Sequence, residues 1–172
     1  MKHTINLLII FSLFFMVFNS CIHEKNEQPA ALQGLVEKYI EYWNTGKFDG
    51  IENILSENFE LRMTPQFKPE KGIEAFKESV LYWRTAYPDF LITIDEIIYT
   101  NDAAAGRWTI TATNTGEGSH PPTGKSVNVP GMSIIHFTDG KIKDEWIASN
   151  NYYWLQQLGY TLAAPKVTEE GE

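Results

Sequence analysis

Cysteine, histidine and positive charge are all scarce in this chain of 172 residues, and each scarcity removes a class of function. The single Cys, at position 21, excludes an internal disulfide and any metal site built on thiolates. Four histidines stand at 3, 23, 120 and 136 without metal-ligand spacing, so no metal and no cofactor is expected. Lys and Arg number 14 against 22 Asp and Glu, a formal charge of −8, and the basic residues do not cluster. Nucleic acid is therefore not expected as a partner. The stretch GEGSHPPTGK at 116–125 lacks the spacing and the following helix of a phosphate cradle, and no repeat is visible.

Only one hydrophobic run is long. It extends from Ile5 to Phe18 behind Lys2 and His3, and ends in Asn19-Ser20-Cys21. That is shorter than the ~20 residues of a membrane-spanning helix, and it fits the apolar part of a secretory signal. Because the lone Cys follows small Ser20 directly, we expect a bacterial lipoprotein signal over residues 1–20, with Cys21 lipidated as the new N-terminus. Phe18 departs from the Leu more often found three residues before such a Cys. Residues 21–30 read as a polar tether, 31–160 as the folded domain and 161–172 as a frayed acidic tail. The expected location is outside the cytoplasm, anchored to a membrane of the cell envelope.

What remains is rich in apolar residues, 43% of the chain, with 13% aromatic, enough for one domain with a sizeable core. Leu32, Leu35, Val36, Tyr39, Ile40 and Trp43 make one helical stripe that ends near Gly46. A short helix is expected after Asp49, a strand through Phe59, Leu61 and Met63, and a helix from Ile73 to Thr85. Strand patterns then fill Phe90–Tyr99, Ala104–Thr113 and Ser126–Phe137. Helices first and an antiparallel meander second make the class α+β.

The stretch Asp139–Gly159, DGKIKDEWIASNNYYWLQQLG, ends the domain. Asp139-Gly140 suits a two-residue hairpin turn, Lys141–Ser149 alternates as a strand, and Asn150 is placed to cap a short helix that Gly159 stops. This stretch, with PPTGK at 121–125 and the Thr-rich strand ending at Thr113-Asn114-Thr115-Gly116, resembles SnoaL-like polyketide cyclases of the nuclear-transport-factor-2-like superfamily. The resemblance spans about Leu32 to Gly159. It implies a cone-shaped fold, helices packed on a curved antiparallel sheet, with a pocket in the cone and frequent homodimers.

Alternation on the Ala104 strand places Ala104, Gly106, Trp108, Ile110, Ala112 and Asn114 in one apolar row. The same rule on the last strand groups Ile142, Asp144, Trp146, Ala148 and Asn150. The resemblance implies a His at the position of Asn114 and an Asp at that of Asn150, serving acid–base chemistry beside a carbonyl. An amide hydrogen-bonds but does not titrate. As replacement acids or bases the candidates are Asp144, His120 on a glycine-flanked loop, and His136, whose facing the pattern leaves open. For ligand contact they are Trp43, Trp83, Trp108, Asn114, Met132, Trp146, Asn150 and Tyr153, although an aromatic row more often builds core and Asn150 fits a helix cap as well.

Three functions follow for such a domain. It binds a small hydrophobic, ring- or carbonyl-bearing molecule in the cone; it is a cyclase- or isomerase-like enzyme with a relocated acid or base; or it is a dimeric interaction domain with a vestigial pocket.

Overall fold

The computed structural model describes residues 30–64 and 68–163. The expected signal, Cys21, nearly all of the tether and most of the tail lie outside them. Helix α1 (residues 30–45) buries Leu32, Val36, Tyr39, Tyr42 and Trp43. These recur every three or four residues, so a single helical face meets the core. After it come α2 (Ile51–Ile54), β1 (Leu55–Met63), β2 (Glu70–Lys71), α3 (Gly72–Ala86), β3 (Leu91–Tyr99), β4 (Ala103–Thr113), β5 (Ser126–Thr138), β6 (Lys141–Ser149) and α4 (Asn151–Leu158). The sequence pattern anticipates these within a few residues, except β2, a two-residue strand paired to β1 at Glu60 and Leu61.

The class is α+β, with helices packed on one curved sheet of order β2-β1-β6-β5-β4-β3. β3 to β6 form an antiparallel meander, and β1 joins β6 in parallel. The last hairpin turns through Asp139 (φ 49°) and Gly140 (φ 72°), the left-handed pair its two-residue loop demands. Along β5, Val127, Val129, Ile135 and Phe137 are buried while the intervening side chains are exposed. One face of the sheet therefore carries the core and the other is open.

Two polar clamps fix the helices to the rim of the sheet. Asn44 Nδ2 donates to Ile92 O at 3.0 Å, and its Oδ1 accepts from Ile92 N at 2.7 Å, tying the end of α1 to the start of β3. Arg84, near the end of α3, donates to the carbonyls of Asn44, Phe90 and Pro88. These bonds satisfy carbonyls that end helices and turns, where no backbone partner is available.

Strand β6 holds the main departure from the expected pattern. Phe137 faces Ile142 across the hairpin, but His136 faces Asp144, so Lys143 is an extra residue on β6. Such a bulge reverses which side chains point inward beyond it. Ile142 is fully buried, and past the bulge it is Glu145, Ile147 and Ser149 that face the interior. The expected inward row is thereby corrected. Asp144, Trp146 and Ala148 turn to the outer face, and Trp146 is 53% exposed with the Arg62 guanidinium 5.3 Å from its ring centre.

A candidate functional site in an aromatic cone

Between α1, α3, α4 and the inner face of the sheet lies a cavity of about 360 Å³. Its walls are aromatic because three helices, one turn and one strand each contribute rings: Trp43 from α1, Trp83 from α3, Tyr87 and Phe90 from the turn after it, Trp108 from β4 and Trp154 from α4. The rings brace one another. Trp83 and Trp154 meet edge-on at 5.4 Å, Tyr87 and Trp154 at 5.2 Å, and Trp154 Nε1 donates to Tyr87 Oη at 2.8 Å. The six-membered ring of Trp108 packs on Gly131, where an added Cβ would come within 2.0 Å of the indole, so only glycine permits this placement. A rigid apolar hollow with a few polar groups is what a small-molecule site requires.

One carboxyl reaches this hollow. Glu145 is 3% exposed and lines the cavity from β6. Tyr39 Oη donates to its Oε2 at 2.5 Å. Burial pushes the Glu145 carboxyl above its usual range, against the pull of the Tyr39 and Ser133 hydroxyls. Burial also holds the Tyr39 hydroxyl well above its ordinary value, with the Glu145 charge adding to the effect. Behind them Trp108 Nε1 donates to Ser133 Oγ at 2.8 Å. Among the described residues that line the cavity, none is Lys or Arg.

Asn114 is 1% exposed and faces the cavity at the end of its β4 row, as the alternation indicates. Its amide is already committed. Oδ1 accepts from Thr123 N at 2.9 Å and from Thr123 Oγ1 at 3.1 Å, while Nδ2 makes a long 3.5 Å contact to Ala86 O. The side chain staples the 114–125 loop to itself and to the end of α3. Gly116 seats against Thr85, where a Cβ would fall 1.8 Å from the carbonyl oxygen. The loop's middle, Gly118 to His120, forms part of the cavity wall, and the His120 ring stands 5.1 Å from Tyr160.

Trp43, Trp83, Trp108, Asn114 and His120 thus share the cavity. The other sequence candidates lie elsewhere. Asn150 caps α4, accepting from Tyr153 N at 2.9 Å, and is exposed. Tyr153 is an exposed residue of α4 outside the lining. Met132 is 62% exposed on the outer face. His136 and Asp144 are partners there, Nδ1 to Oδ1 at 2.6 Å, with the sheet between them and the cavity. Sequence reasoning missed Glu145. It lies outside the expected row Ile142, Asp144, Trp146, Ala148 and Asn150, and nothing within 141–149 marks Lys143 as the extra residue. Among the described residues no group of three or more His, Cys, Asp and Glu is placed to hold a metal ion.

A mainly antiparallel sheet wrapped on helices around an apolar cone defines the class of the domain. The profile of the SnoaL-like polyketide cyclase family matches residues 33–158, and the chain belongs to that family. It is similar in structure to a proposed polyketide cyclase from Bacillus cereus ATCC 10987, at 26% identity and TM-score 0.61 over 73% of this chain and 78% of the other. TsrD from Streptomyces laurentii aligns at 24% identity and TM-score 0.68, over 76% and 96% of the two chains. IdmH, a proposed polyketide cyclase from Streptomyces antibioticus, aligns at 22% and 0.66, over 74% and 98%. No curated protein matches the chain.

Proposed function

We propose that this domain binds a small, mainly apolar, ring- or carbonyl-bearing molecule inside the cone. The observation that carries the reading is the braced aromatic cavity of about 360 Å³, of a size that takes up ring-bearing ligands. Organic extraction of the protein purified from its own cells, followed by mass spectrometry, tests it. A compound retained by the wild type and lost from Ile147→Trp, which fills the cavity, is expected. The same compounds in both preparations would contradict it.

A second reading, proton-transfer catalysis, is favoured by one observation: a buried carboxyl, Glu145, faces the cavity. Asn114 and Asn150, where the resemblance to the family implies a His and an Asp, do not titrate, so Glu145 is the acid or base of this reading. Its test is solvent deuterium uptake beside a ketone, present in the wild type and absent in Glu145→Gln.

Two further parts of the proposal concern assembly and place. The outer face carries a cross-strand row Arg62, Trp146, Ile134, Ala105, Ile98, in which Ile98 is 66% exposed. It is flanked on one side by Arg107 with Asp95 and Glu96, and on the other by Glu60 and the His136–Asp144 pair. An apolar centre between flanks of mixed sign suits self-association about a two-fold axis, so we assign this face to a homodimer. The N-terminal run ending at Cys21 supports a lipid anchor holding the domain at the cell envelope.

A further inference from the structure

We propose that Glu145 is the cavity's hydrogen-bond donor, and that the site thereby selects an uncharged ring compound bearing a carbonyl oxygen over its carboxylate and ammonium counterparts. The inference rests on the binding reading above and specifies its ligand.

An indole N–H only donates, so Trp108 Nε1, bonded to Ser133 Oγ at 2.8 Å, occupies a lone pair of that hydroxyl and leaves its proton free to go elsewhere. The Ser133 hydroxyl stands close enough to Glu145 to act on its charge. On the other side Tyr39 Oη donates to Glu145 Oε2 at 2.5 Å. Tyr39 and the Trp108–Ser133 pair thus flank one carboxyl, with the Tyr39 proton directed at it.

A carboxyl that accepts from Tyr39 has a donor of its own when it is neutral, an O–H that the Tyr39 hydroxyl, already turned to donate, does not receive. The remaining direction is the cavity that Glu145 lines. A ligand carbonyl accepts that proton and leaves no polar atom of the cluster unpaired. A ligand carboxylate meets no Lys or Arg among the described lining residues, and brings a second acceptor to a floor already accepting. An ammonium ligand instead needs the ionised form, which burial disfavours.

The groups that bear on the charge of Glu145 are few. Tyr39 of α1 is the titratable group bonded to it, and Glu70 of β2 acts on Tyr39. His136 of β5 and Asp144 of β6 pair with each other on the opposite face, as do Glu60 and Arg62 of β1.

The test compares 1-tetralone with tetralin, the same bicycle lacking the oxygen, by tryptophan fluorescence titration of the folded protein. The wild type is expected to prefer the ketone roughly tenfold, the scale of one net hydrogen bond. Above the range in which Glu145 ionises, ketone binding is expected to take up a proton, read as a buffer-dependent heat in calorimetry. Glu145→Leu should lose the preference while still binding tetralin. Glu145→Gln, which accepts and donates in the same places, should keep the preference and lose its pH dependence. Equal affinity of the wild type for ketone and hydrocarbon overturns the proposal and leaves the binding reading standing. Failure to bind either overturns both. Tighter binding of 2-aminotetralin with proton release also overturns it, by making Glu145 a counter-ion.

Discussion

Tyr39 on the first helix and Glu145 on the last strand, 106 positions apart in sequence, meet with Oη and Oε2 at 2.5 Å, both buried. The bond fixes α1 over β6 at the level of the cavity and brings a buried carboxyl to its wall. Burial is the largest influence on each partner. It raises the tyrosine hydroxyl and the carboxyl alike, and so favours the state in which both hold their protons.

That direction sets a pH dependence of stability. A carboxyl raised on folding binds protons more tightly in the native state, so its contribution is complete below the ordinary value of 4.5 and is lost as pH rises through the raised one. The urea midpoint of the wild type should therefore fall relative to that of Glu145→Gln as pH is increased from 4.5. A difference that stays constant, or grows in favour of the wild type, contradicts the assignment.

Asn114 and Asn150 should behave differently although both are amides at strand ends. Asn114→Ala removes the acceptor of two Thr123 bonds in a buried site, a loss of roughly 1–3 kcal/mol, and frees the 114–125 loop. Limited proteolysis should cut that loop faster. Asn150→Ala removes a helix cap, about 0.5–2 kcal/mol, and should leave ligand affinity unchanged, which a binding titration checks.

On the outer face, Ile134→Lys places a charge in the middle of the apolar row opposite Trp146 and Ala105. Light scattering at concentrations on the order of tens of micromolar should report a dimer for the wild type and a monomer for the variant, with unchanged thermal stability of the fold. A wild-type monomer at that concentration removes the dimer from the account.

Cys21→Ser tests the anchor. The variant should appear as soluble mature protein or as uncleaved precursor in cell fractionation. Mature-size protein still in the membrane fraction contradicts lipidation at Cys21.

Most of the fold is legible in the sequence because its signals are local: the α1 stripe, the alternation on the Ala104 strand, the Asp139-Gly140 turn and the Asn150 and Gly159 ends of α4. Trp43, Trp83, Trp108 and Asn114 could be placed by periodicity alone. Glu145 could not, because its facing depends on how β6 registers against β5, and a single extra residue at Lys143 exchanges the two faces. Trp146 misled for the same reason. A large apolar residue is expected inside, yet it stands outside beneath Arg62, in a row shared with Ile134.

The tryptophans provide the most direct measurement of the central claim, that the cone is the binding site. Their indole N–H signals in a proton–nitrogen correlation spectrum are separate reporters: Trp43, Trp83, Trp108 and Trp154 line the cavity, whereas Trp146 lies on the outer face. Titration with 1-tetralone should shift the four interior signals along saturating curves with one common dissociation constant and leave Trp146 still. A shift at Trp146 with the interior signals unmoved would place binding on the outer face and contradict the account.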